Sequence, residues 1–221
     1  TTYENIYYLV SFLDQLKHHP DTKFVFASSS SIYGDANMPT PEIHTLTPQS
    51  PYALQKKCGE EFCRMFSNLY GMDTICLRFF NVFGPHQYVD SPYATVMAKW
   101  CDQLKKGHPL LLEGDGTQSR DFSYIDNVVH GINLAVTSDN KFKGDAFNIA
   151  NQDRTSLNEI LEYLSENFII DLDVHDARVG DVKHTQADIS KAREQLNYTP
   201  ICNVWDGLEK TLAWWELECK V

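Results

Sequence analysis

The sequence of 221 residues lacks long hydrophobic runs and a surplus of positive charge. No apolar run approaches the roughly eighteen residues that a membrane-spanning helix needs, and no charged, apolar leader opens the chain. With 19 basic and 30 acidic residues the formal net charge is −11, and no basic stripe stands out to neutralise nucleic-acid phosphates. We therefore expect a protein that binds neither a membrane nor a nucleic acid.

Cysteine and histidine patterns of disulfide or metal sites are also absent. The six cysteines form no C-x-x-C pair, and the eight histidines show no H-x-x-x-H or mixed Cys/His spacing. Several cysteines fall in apolar, periodic segments, which is typical of reduced thiols in a protein interior. The sequence predicts a cytoplasmic protein without disulfides and without a metal. The cysteines are Cys58, Cys63, Cys76, Cys101, Cys202 and Cys219.

A glycine-rich turn for a dinucleotide cofactor is missing as well. Neither G-x-G-x-x-G nor G-x-x-G-x-x-G occurs in the chain, and no internal repeat is found.

At 221 residues and 43% hydrophobic, the chain can bury one sizeable core, with or without a smaller lobe.

What the chain does contain is a serine-rich strand end followed by a helix with Tyr-x-x-x-Lys spacing. The apolar residues 23–27 predict a buried strand that delivers the serines 28–31 at its carboxyl end. The predicted helix 51–70 carries Tyr52 and Lys56 on one face. Since ligands of open α/β sheets bind at the carboxyl ends of strands, a hydroxyl, a phenol and an ammonium can meet in one cleft.

A phenol beside an ammonium is suited to proton transfer. Using a phenolate near pH 7 requires about 4 kcal/mol of stabilisation relative to an ordinary tyrosine, and a nearby lysine cation supplies part of it. The bare spacing is weak evidence, because chance places such a pair in many chains with 11 tyrosines. The residues around the pair must therefore indicate whether Tyr52 and Lys56 are catalytic.

Helices and strands alternate along the predicted chain, which favours parallel pairing with right-handed crossovers. Residues 35–49, rich in proline, threonine and asparagine, are predicted to form a loop that acts as a lid over a cleft. The predicted helices cover 3–17, 51–70, about 93–106, 125–137, about 156–167, a short stretch from 188 and 204–217, and the predicted strands 23–27, 74–80, 110–112 and 147–150.

In their order and spacing, the serine-rich strand end, the Tyr-x-x-x-Lys helix and the next strand resemble the extended short-chain dehydrogenase/reductase family of NAD-dependent epimerases and dehydratases. The phrases GDGTQSRDF at 114–122 and RVGD at 178–181 resemble two further motifs of that family. The resemblance implies an α/β fold, with part of a Rossmann-like, doubly wound parallel sheet and a smaller carboxyl-terminal α/β lobe that binds substrate.

The resemblance covers nearly all of the chain but begins in what should be the middle of the dinucleotide-binding domain. We therefore expect the carboxyl-terminal two-thirds of such a protein, with the glycine-rich turn upstream. The implied domains are residues 1–85, which complete the dinucleotide-binding domain, and residues 86–221, which form the nucleotide-sugar-binding lobe. A segment near 125–150 is expected to return to the sheet domain.

The resemblance also implies a catalytic role for Ser29, Tyr52 and Lys56. Tyr52, as phenolate, would remove the proton of a sugar 4-hydroxyl while hydride passes to NAD. Ser29 would bridge by a hydrogen bond, and Lys56 would lower the pKa of Tyr52 and bind the nicotinamide ribose. Asn5 and Phe80 would contact the same cofactor.

Six residues would contact the nucleotide-sugar substrate. Arg120 suits a phosphate, because a guanidinium can pair with it through two hydrogen bonds, and its alternative is a surface ion pair with Asp121. The implied substrate-binding residues are Ser31, Asn81, Arg120, Arg178, Asp181 and Thr185.

Two sets of positions favour one reaction and one substrate. Family dehydratases carry an Asp-Glu pair where this chain has Ser30 and Ser31, and decarboxylases keep a glutamate at the second position, so epimerisation remains. Thr185 leaves room where epimerases restricted to plain hexoses can carry a tyrosine. The predicted function is thus 4-epimerisation of a UDP-hexose. The predicted reaction interconverts UDP-N-acetylglucosamine and UDP-N-acetylgalactosamine, as in bacterial surface-polysaccharide pathways. UDP-glucose and UDP-uronic acids are the rival substrates.

Two other readings stay open. An NAD(P)-dependent sugar-nucleotide reductase would share Ser29, Tyr52 and Lys56, and a truncated relative could serve as a non-catalytic scaffold. The resemblance implies a homodimer formed through helices 3–17 and 51–70.

Overall fold

A three-stranded parallel sheet forms the centre of the computed structural model, which describes residues 2–19, 21–90, 94–177 and 182–217. In chain order the elements are a π-helical turn Tyr3–Tyr7, α1 Tyr8–Leu16, β1 Lys23–Ser29, a 3₁₀ turn Ser30–Tyr33, α2 Pro51–Tyr70, β2 Asp73–Phe79, β3 Val82–Phe83, α3 Val96–Lys106, β4 Leu110–Glu113, β5 Ser119–Arg120, β6 Ser123–Tyr124, α4 Ile125–Thr137, β7 Asp145–Ile149, β8 Thr155–Ser156, α5 Leu157–Ser165, β9 Leu172–His175, α6 Ser190–Leu196 and α7 Val204–Trp214.

The central sheet has the strand order β1-β2-β7, and both pairings are parallel. Helix α2 connects β1 to β2, and α4 packs against all three strands before the chain enters β7. The predicted α/β class with a parallel sheet is therefore confirmed. The chain leaves this sheet after β2 and returns to it through α4 and β7, while the division at residue 85 stays a prediction.

Helix α2 begins and ends where local sequence signals predict. The Ser50 side chain accepts the N–H of Ala53, and Pro51 occupies the first helical turn, where its missing N–H costs no hydrogen bond. Gly71 ends the helix in the left-handed conformation with φ 70°, and its N–H donates to the Ser67 carbonyl. These two caps fix which residues of α2 face the end of β1.

The segment between β3 and α4, together with α5 and α7, forms a second apolar core around Trp100, which is 1% exposed. In the described residues the strands outside the central sheet pair as β3-β6 and β4-β9, both parallel, and β5-β8, antiparallel. None of the helices in the described ranges is long and apolar enough to span a bilayer.

The structure differs from the predicted elements at several points. Helix 3–17 begins as the π-helical turn, and the last helix ends at Trp214 instead of residue 217. Strand β9 was not predicted, because it is only four residues long and its side chains are all exposed, and it is held by pairing with β4.

The loop 35–49 is tied to the rest of the chain instead of lying free as a lid. Thr40 pairs with Ala187 in an isolated β-bridge, and the Thr47 hydroxyl donates to the Tyr33 carbonyl at 2.6 Å. The Glu42 carboxylate accepts the backbone N–H of Asn148 in β7 at 2.7 Å. The predicted lid is therefore wrong, since these bonds fasten the loop along the β7 edge.

A buried ion pair fastens α2 to the sheet. Arg78 in β2 donates its Nε and Nη2 to the two carboxylate oxygens of Glu60 in α2, at 2.9 and 2.7 Å. Ser28 in β1 donates to the same carboxylate at 2.6 Å, and Arg78 donates to the phenol of Tyr33, which donates to Asn148. Although burial opposes it, the bond to Glu60 raises the pKa of Arg78. One hydrogen-bonded network thus joins β1, α2, β2 and β7.

We expect Glu60→Gln to lower the free energy of unfolding by about 3 to 5 kcal/mol, because it leaves the buried Arg78 cation without its counter-charge. Glu61→Gln is the matched control on the same helix, where an exposed pair with Arg64 at 3.1 Å is worth about 1 kcal/mol at most. Urea unfolding of both variants measures the difference. Equal effects of the two substitutions would contradict the role assigned to the buried pair.

Candidate active site

Ser29, Tyr52 and Lys56 come together at the carboxyl end of β1. Ser29 is the last residue of that strand, whereas Tyr52 and Lys56 lie one turn apart near the start of α2. The Ser29 hydroxyl hydrogen-bonds the Tyr52 phenol, and Lys56 Nζ lies over the Tyr52 ring, 5.6 Å from its centroid. The structure therefore brings together the three residues that were predicted to be catalytic, while their catalytic role stays a prediction.

Burial has the largest effect on the electrostatics of the cluster. Burial raises the pKa of the Tyr52 phenol, and the hydrogen bond from Ser29 opposes that rise by favouring the phenolate. Lys56 donates to the Ala27 carbonyl at 2.9 Å, and burial lowers the pKa of its ammonium. Burial is thus the largest influence on the Tyr52 phenol in this structure, and the lowering of its pKa by Lys56 stays a prediction.

Ser31 lies beside Ser29 in the 3₁₀ turn that follows β1. Its backbone N–H donates to Ser29 Oγ at 3.2 Å, and its hydroxyl donates to the same oxygen at 3.0 Å. Ser29 is thereby the N-cap of that turn. Ser31 was predicted to contact substrate, a role that stays a prediction, and the structure gives it a direct contact with Ser29.

The face of β1 beside Lys56 offers the space that a cofactor would need. Ala27 is exposed although it lies within the strand, and Lys56 reaches its carbonyl from α2. Asn5 Nδ2 donates to the Gln55 side chain at 2.8 Å, which places Asn5 next to the same part of α2. Asn5, Lys56 and Tyr52 therefore fit one extended ligand along this face, and their contacts with NAD stay a prediction.

Phe80, which was predicted to contact the cofactor, directly follows β2. Its side chain is 1% exposed and packs against Tyr33, with 6.1 Å between ring centroids, and its contact with NAD stays a prediction. Phe79 is partly exposed at the end of β2 and is the register partner of Ser29. Because register partners of parallel strands point to the same face, Phe79 and Ser29 lie on the same face of the sheet.

A cavity of about 210 Å³ opens beyond the end of β2. Asn81 and Arg120, both predicted to contact substrate, lie in its wall, and Lys99 from α3 adds a second cation that the sequence analysis did not identify. Apolar side chains form the other wall. The cavity is lined by Asn81, Ala94, Thr95, Val96, Lys99, Leu111, Glu113, Gln118, Arg120, Phe122 and Leu157.

Thr185 is bound directly to Asn81. Its hydroxyl donates to Asn81 Oδ1 at 3.2 Å and accepts the N–H of Asp121 at 3.3 Å. Asn81 itself has a left-handed backbone, with φ 25°, a conformation that asparagine tolerates better than most residues. The small side chain at position 185 thus does more than leave room, since its hydroxyl fixes the Asn81 amide.

Asp121 is fully buried and holds three segments together. Its carboxylate accepts the backbone N–H groups of Asn151, Gln152 and Ala187 at 2.9, 3.1 and 3.0 Å. Burial raises its pKa to about 7 against these bonds. The alternative of a surface ion pair between Arg120 and Asp121 is wrong, because Asp121 is not at the surface. Arg120 Nη1 donates to the Lys183 carbonyl at 2.9 Å.

Positive side chains gather around this end of the molecule despite the net charge of −11. Burial lowers the pKa of His184, and the nearby cations Arg154, Lys183 and Arg120 lower it further. Such a cluster favours an anionic ligand.

Arg178 and Asp181, which were predicted to bind substrate, lie outside the described residues. In the ranges that the structure covers, no group of three His, Cys, Asp or Glu side chains is arranged to hold a metal ion.

The arrangement suits one class of chemistry. A phenol and a hydroxyl in contact can take a proton from an alcohol, and a cavity with an asparagine, an arginine and apolar walls can hold a phosphorylated ligand nearby. Glu60 supports this site but belongs to no motif that identifies it in the sequence. Asp121 lies within the GDGTQSRDF motif at 114–122, and that motif was the available signal for it.

Comparison with known proteins finds a consistent set of relatives. Residues 1–150 match the profile of the NAD dependent epimerase/dehydratase family. The chain is 35% identical to the uncharacterized UDP-glucose epimerase YtcB of Bacillus subtilis over 212 residues, which cover 95% of this chain and 66% of that protein. It is 36% identical to the UDP-glucuronate 4-epimerase of Thermodesulfobacterium geofontis, and the match covers 95% of this chain and 64% of that protein.

Solved structures agree with these relatives. The UDP-N-acetylglucosamine 4-epimerase of Methanobrevibacter ruminantium, in complex with UDP-N-acetylmuramic acid, superposes with a TM-score of 0.91 at 34% identity, covering 97% of this chain and 69% of that one. The chain thus spans about two thirds of the length of the proteins that it matches.

Proposed function

The chain belongs to the NAD-dependent epimerase/dehydratase family, and on that premise we propose that it carries the catalytic and substrate-binding parts of a UDP-sugar 4-epimerase. The observation that carries the proposal is the contact of Ser29, Tyr52 and Lys56 at the end of β1, one strand away from Asn81 and the cavity. Serines, and not carboxylates, follow Ser29, which favours epimerisation over elimination of water.

In this mechanism Tyr52 accepts the proton of the sugar 4-hydroxyl, and the hydrogen bond from Ser29 stabilises the phenolate that accepts it. When bound, NAD would take the hydride from the sugar C4 and give it back to the other face, and Asn5, Tyr52 and Lys56 would hold it. Lys56 places a positive charge over the Tyr52 ring. The hexose turns in the site between the two transfers, and Tyr52 gives the proton back to the sugar 4-oxygen, so no net oxidation occurs.

The cavity supports a nucleoside diphosphate as the constant part of the substrate. Arg120 and Lys99 provide cations for the diphosphate, and Val96 and Leu111 provide an apolar wall for a flat base. Holding the sugar only through its diphosphate leaves the hexose free to rotate between the two hydride transfers. Reduced cysteines at all five described positions support a reducing compartment, and we propose the cytoplasm.

We further propose UDP-N-acetylglucosamine as the sugar nucleotide, in exchange with UDP-N-acetylgalactosamine. Thr185 supports this choice, because its short side chain leaves space near Asn81 for a 2-acetamido group. UDP-glucose and UDP-uronic acids are the rivals, since relatives named for each of them match the chain at similar identity.

Conversion of UDP-N-acetylglucosamine to UDP-N-acetylgalactosamine by the full-length protein, followed by chromatography, tests the function. We expect interconversion with no net change in NADH, and a loss of at least about 1000-fold in kcat for Tyr52→Phe, since that variant cannot accept the proton. Stoichiometric NADH formation would support a reductase. Absence of turnover of all three sugar classes would support a scaffold.

Replacing Thr185 tests the choice of sugar. We expect Thr185→Tyr to abolish turnover of the acetamido sugars and to spare UDP-glucose, because the larger ring fills the space for the acetamido group. Kinetics with both substrate pairs measures the effect.

The hydroxyl of Thr185 also holds Asn81, and two variants separate that contact from the space. Thr185→Val keeps the size and removes the bond, so we expect a similar loss of about 3- to 10-fold for both sugars. Thr185→Ser keeps the bond and should retain activity toward both. An equal loss of turnover for both sugars in Thr185→Tyr would overturn the pocket assignment.

We also propose a homodimer through α1 and α2. Apolar side chains remain exposed along one stripe of α2 and on the neighbouring surface of α1. They are Tyr8, Phe12, Leu54, Met65 and Leu69. Burying such a stripe against a second copy is favourable at about 25 cal/mol per Å² of apolar surface.

Sedimentation of the full-length protein tests the dimer. We expect Leu69→Asp, at a site 66% exposed on the stripe, to shift the protein toward monomers. Ile169→Asp, at a site 90% exposed outside these helices, is the matched control and should leave the association unchanged. A wild-type monomer, or a dimer that both variants retain, would exclude this interface.

A further inference from the structure

We propose that Ser31 is a positioning residue that fixes the direction of the Ser29 proton, an inference that rests on the function proposed above. The observation is the double contact on one oxygen, since Ser29 Oγ accepts both the N–H of Ser31 at 3.2 Å and its hydroxyl at 3.0 Å. The Ser29 oxygen also contacts the Tyr52 phenol.

The valence of a hydroxyl oxygen carries the argument. Such an oxygen has two acceptor lone pairs and one proton to donate. Ser31 occupies both lone pairs of Ser29, so the Ser29 proton is the part left for the phenol. Ser29 must then donate to Tyr52, which is the direction that stabilises a phenolate. Because hydrogen bonds in a chain polarise one another, the two donors from Ser31 strengthen the one from Ser29.

The backbone around Ser31 makes this geometry a fixed feature of the fold. Ile32 and Tyr33, which complete the 3₁₀ turn, are 0% and 2% exposed, and the Tyr33 phenol is bonded to Arg78. Gly34 ends the turn at φ 66°, where a Cβ would come within 2.2 Å of the Thr47 carbonyl oxygen. The backbone of Ser31 is therefore held in place relative to Ser29, because the residues that follow it in the turn are buried.

Burial and the Lys56 cation also act on the Tyr52 phenol, and they bound the size of the effect. Burial disfavours the phenolate, whereas the Ser29 bond favours it. Lys56 supplies the positive charge beside the ring from the same helix. Removing the Ser31 hydroxyl leaves its backbone N–H on Ser29, so only part of the orientation is lost. The loss should therefore be smaller than the loss caused by removing Ser29 itself.

The decisive comparison is Ser31→Thr against Ser31→Val in the full-length protein, because these side chains have nearly the same shape and differ in the hydroxyl. We expect Ser31→Val to raise the pKa of Tyr52, read as the tyrosinate absorbance that Tyr52→Phe removes. We also expect kcat at pH 7 to fall about 3- to 10-fold, equivalent to about 1 kcal/mol for one hydrogen bond, with KM changed less than about twofold. Ser31→Thr should keep the wild-type pH profile.

Ser30→Ala is the control for the turn itself, and its pH profile should match that of the wild type. A rise in KM for Ser31→Val with an unchanged pH profile would overturn the proposal and assign Ser31 to substrate binding alone. An unchanged pKa of Tyr52 would overturn it as well. The absorbance titration needs no substrate, so it decides the inference even if the wild-type protein epimerises none of the sugars tested.

Discussion

The buried pair of Glu60 and Arg78 is the interaction on which the site depends. Tyr52 and Lys56 lie on α2, and Ser29 lies on β1, so their contact requires a fixed distance between that helix and that strand. Glu60 supplies it, because the same carboxylate takes two bonds from β2 and one from Ser28. Taking two charges out of water is costly, and here the cost is offset by hydrogen bonds to each member of the pair.

Asp121 has a corresponding role beside the cavity. Its three backbone contacts join the end of β5 to the turn after β7 and to the chain beyond residue 182. Arg120 precedes it directly, and Thr185 binds its N–H. The groups that line the cavity are therefore held to the same sheet that carries the proton-transfer residues. The buried carboxylates of Glu60 and Asp121 thus hold the two parts of the candidate site in place.

Local signals allowed much of the fold to be predicted from the sequence. Helix α2 was recognised by its caps and apolar spacing, and the sheet strands by short apolar runs. The exposed strand β9 and the bonds of Glu42 and Thr47 depend on partners that lie far away in the sequence, which periodicity does not report. A strand buried on both faces shows no alternation, so the sequence pattern of β2 could not tell which of its side chains faces each side of the sheet.

The attachment of the loop 35–49 has a consequence for self-association. β7 is an edge strand of the described sheet, and exposed strand edges are templates for adding strands from other molecules. Glu42 takes the N–H of Asn148, which a foreign strand would otherwise use. A strand from another molecule would have to displace Glu42 to pair with β7 at this position, so the loop makes sheet extension on that side less favourable without a proline or a bulge in the strand.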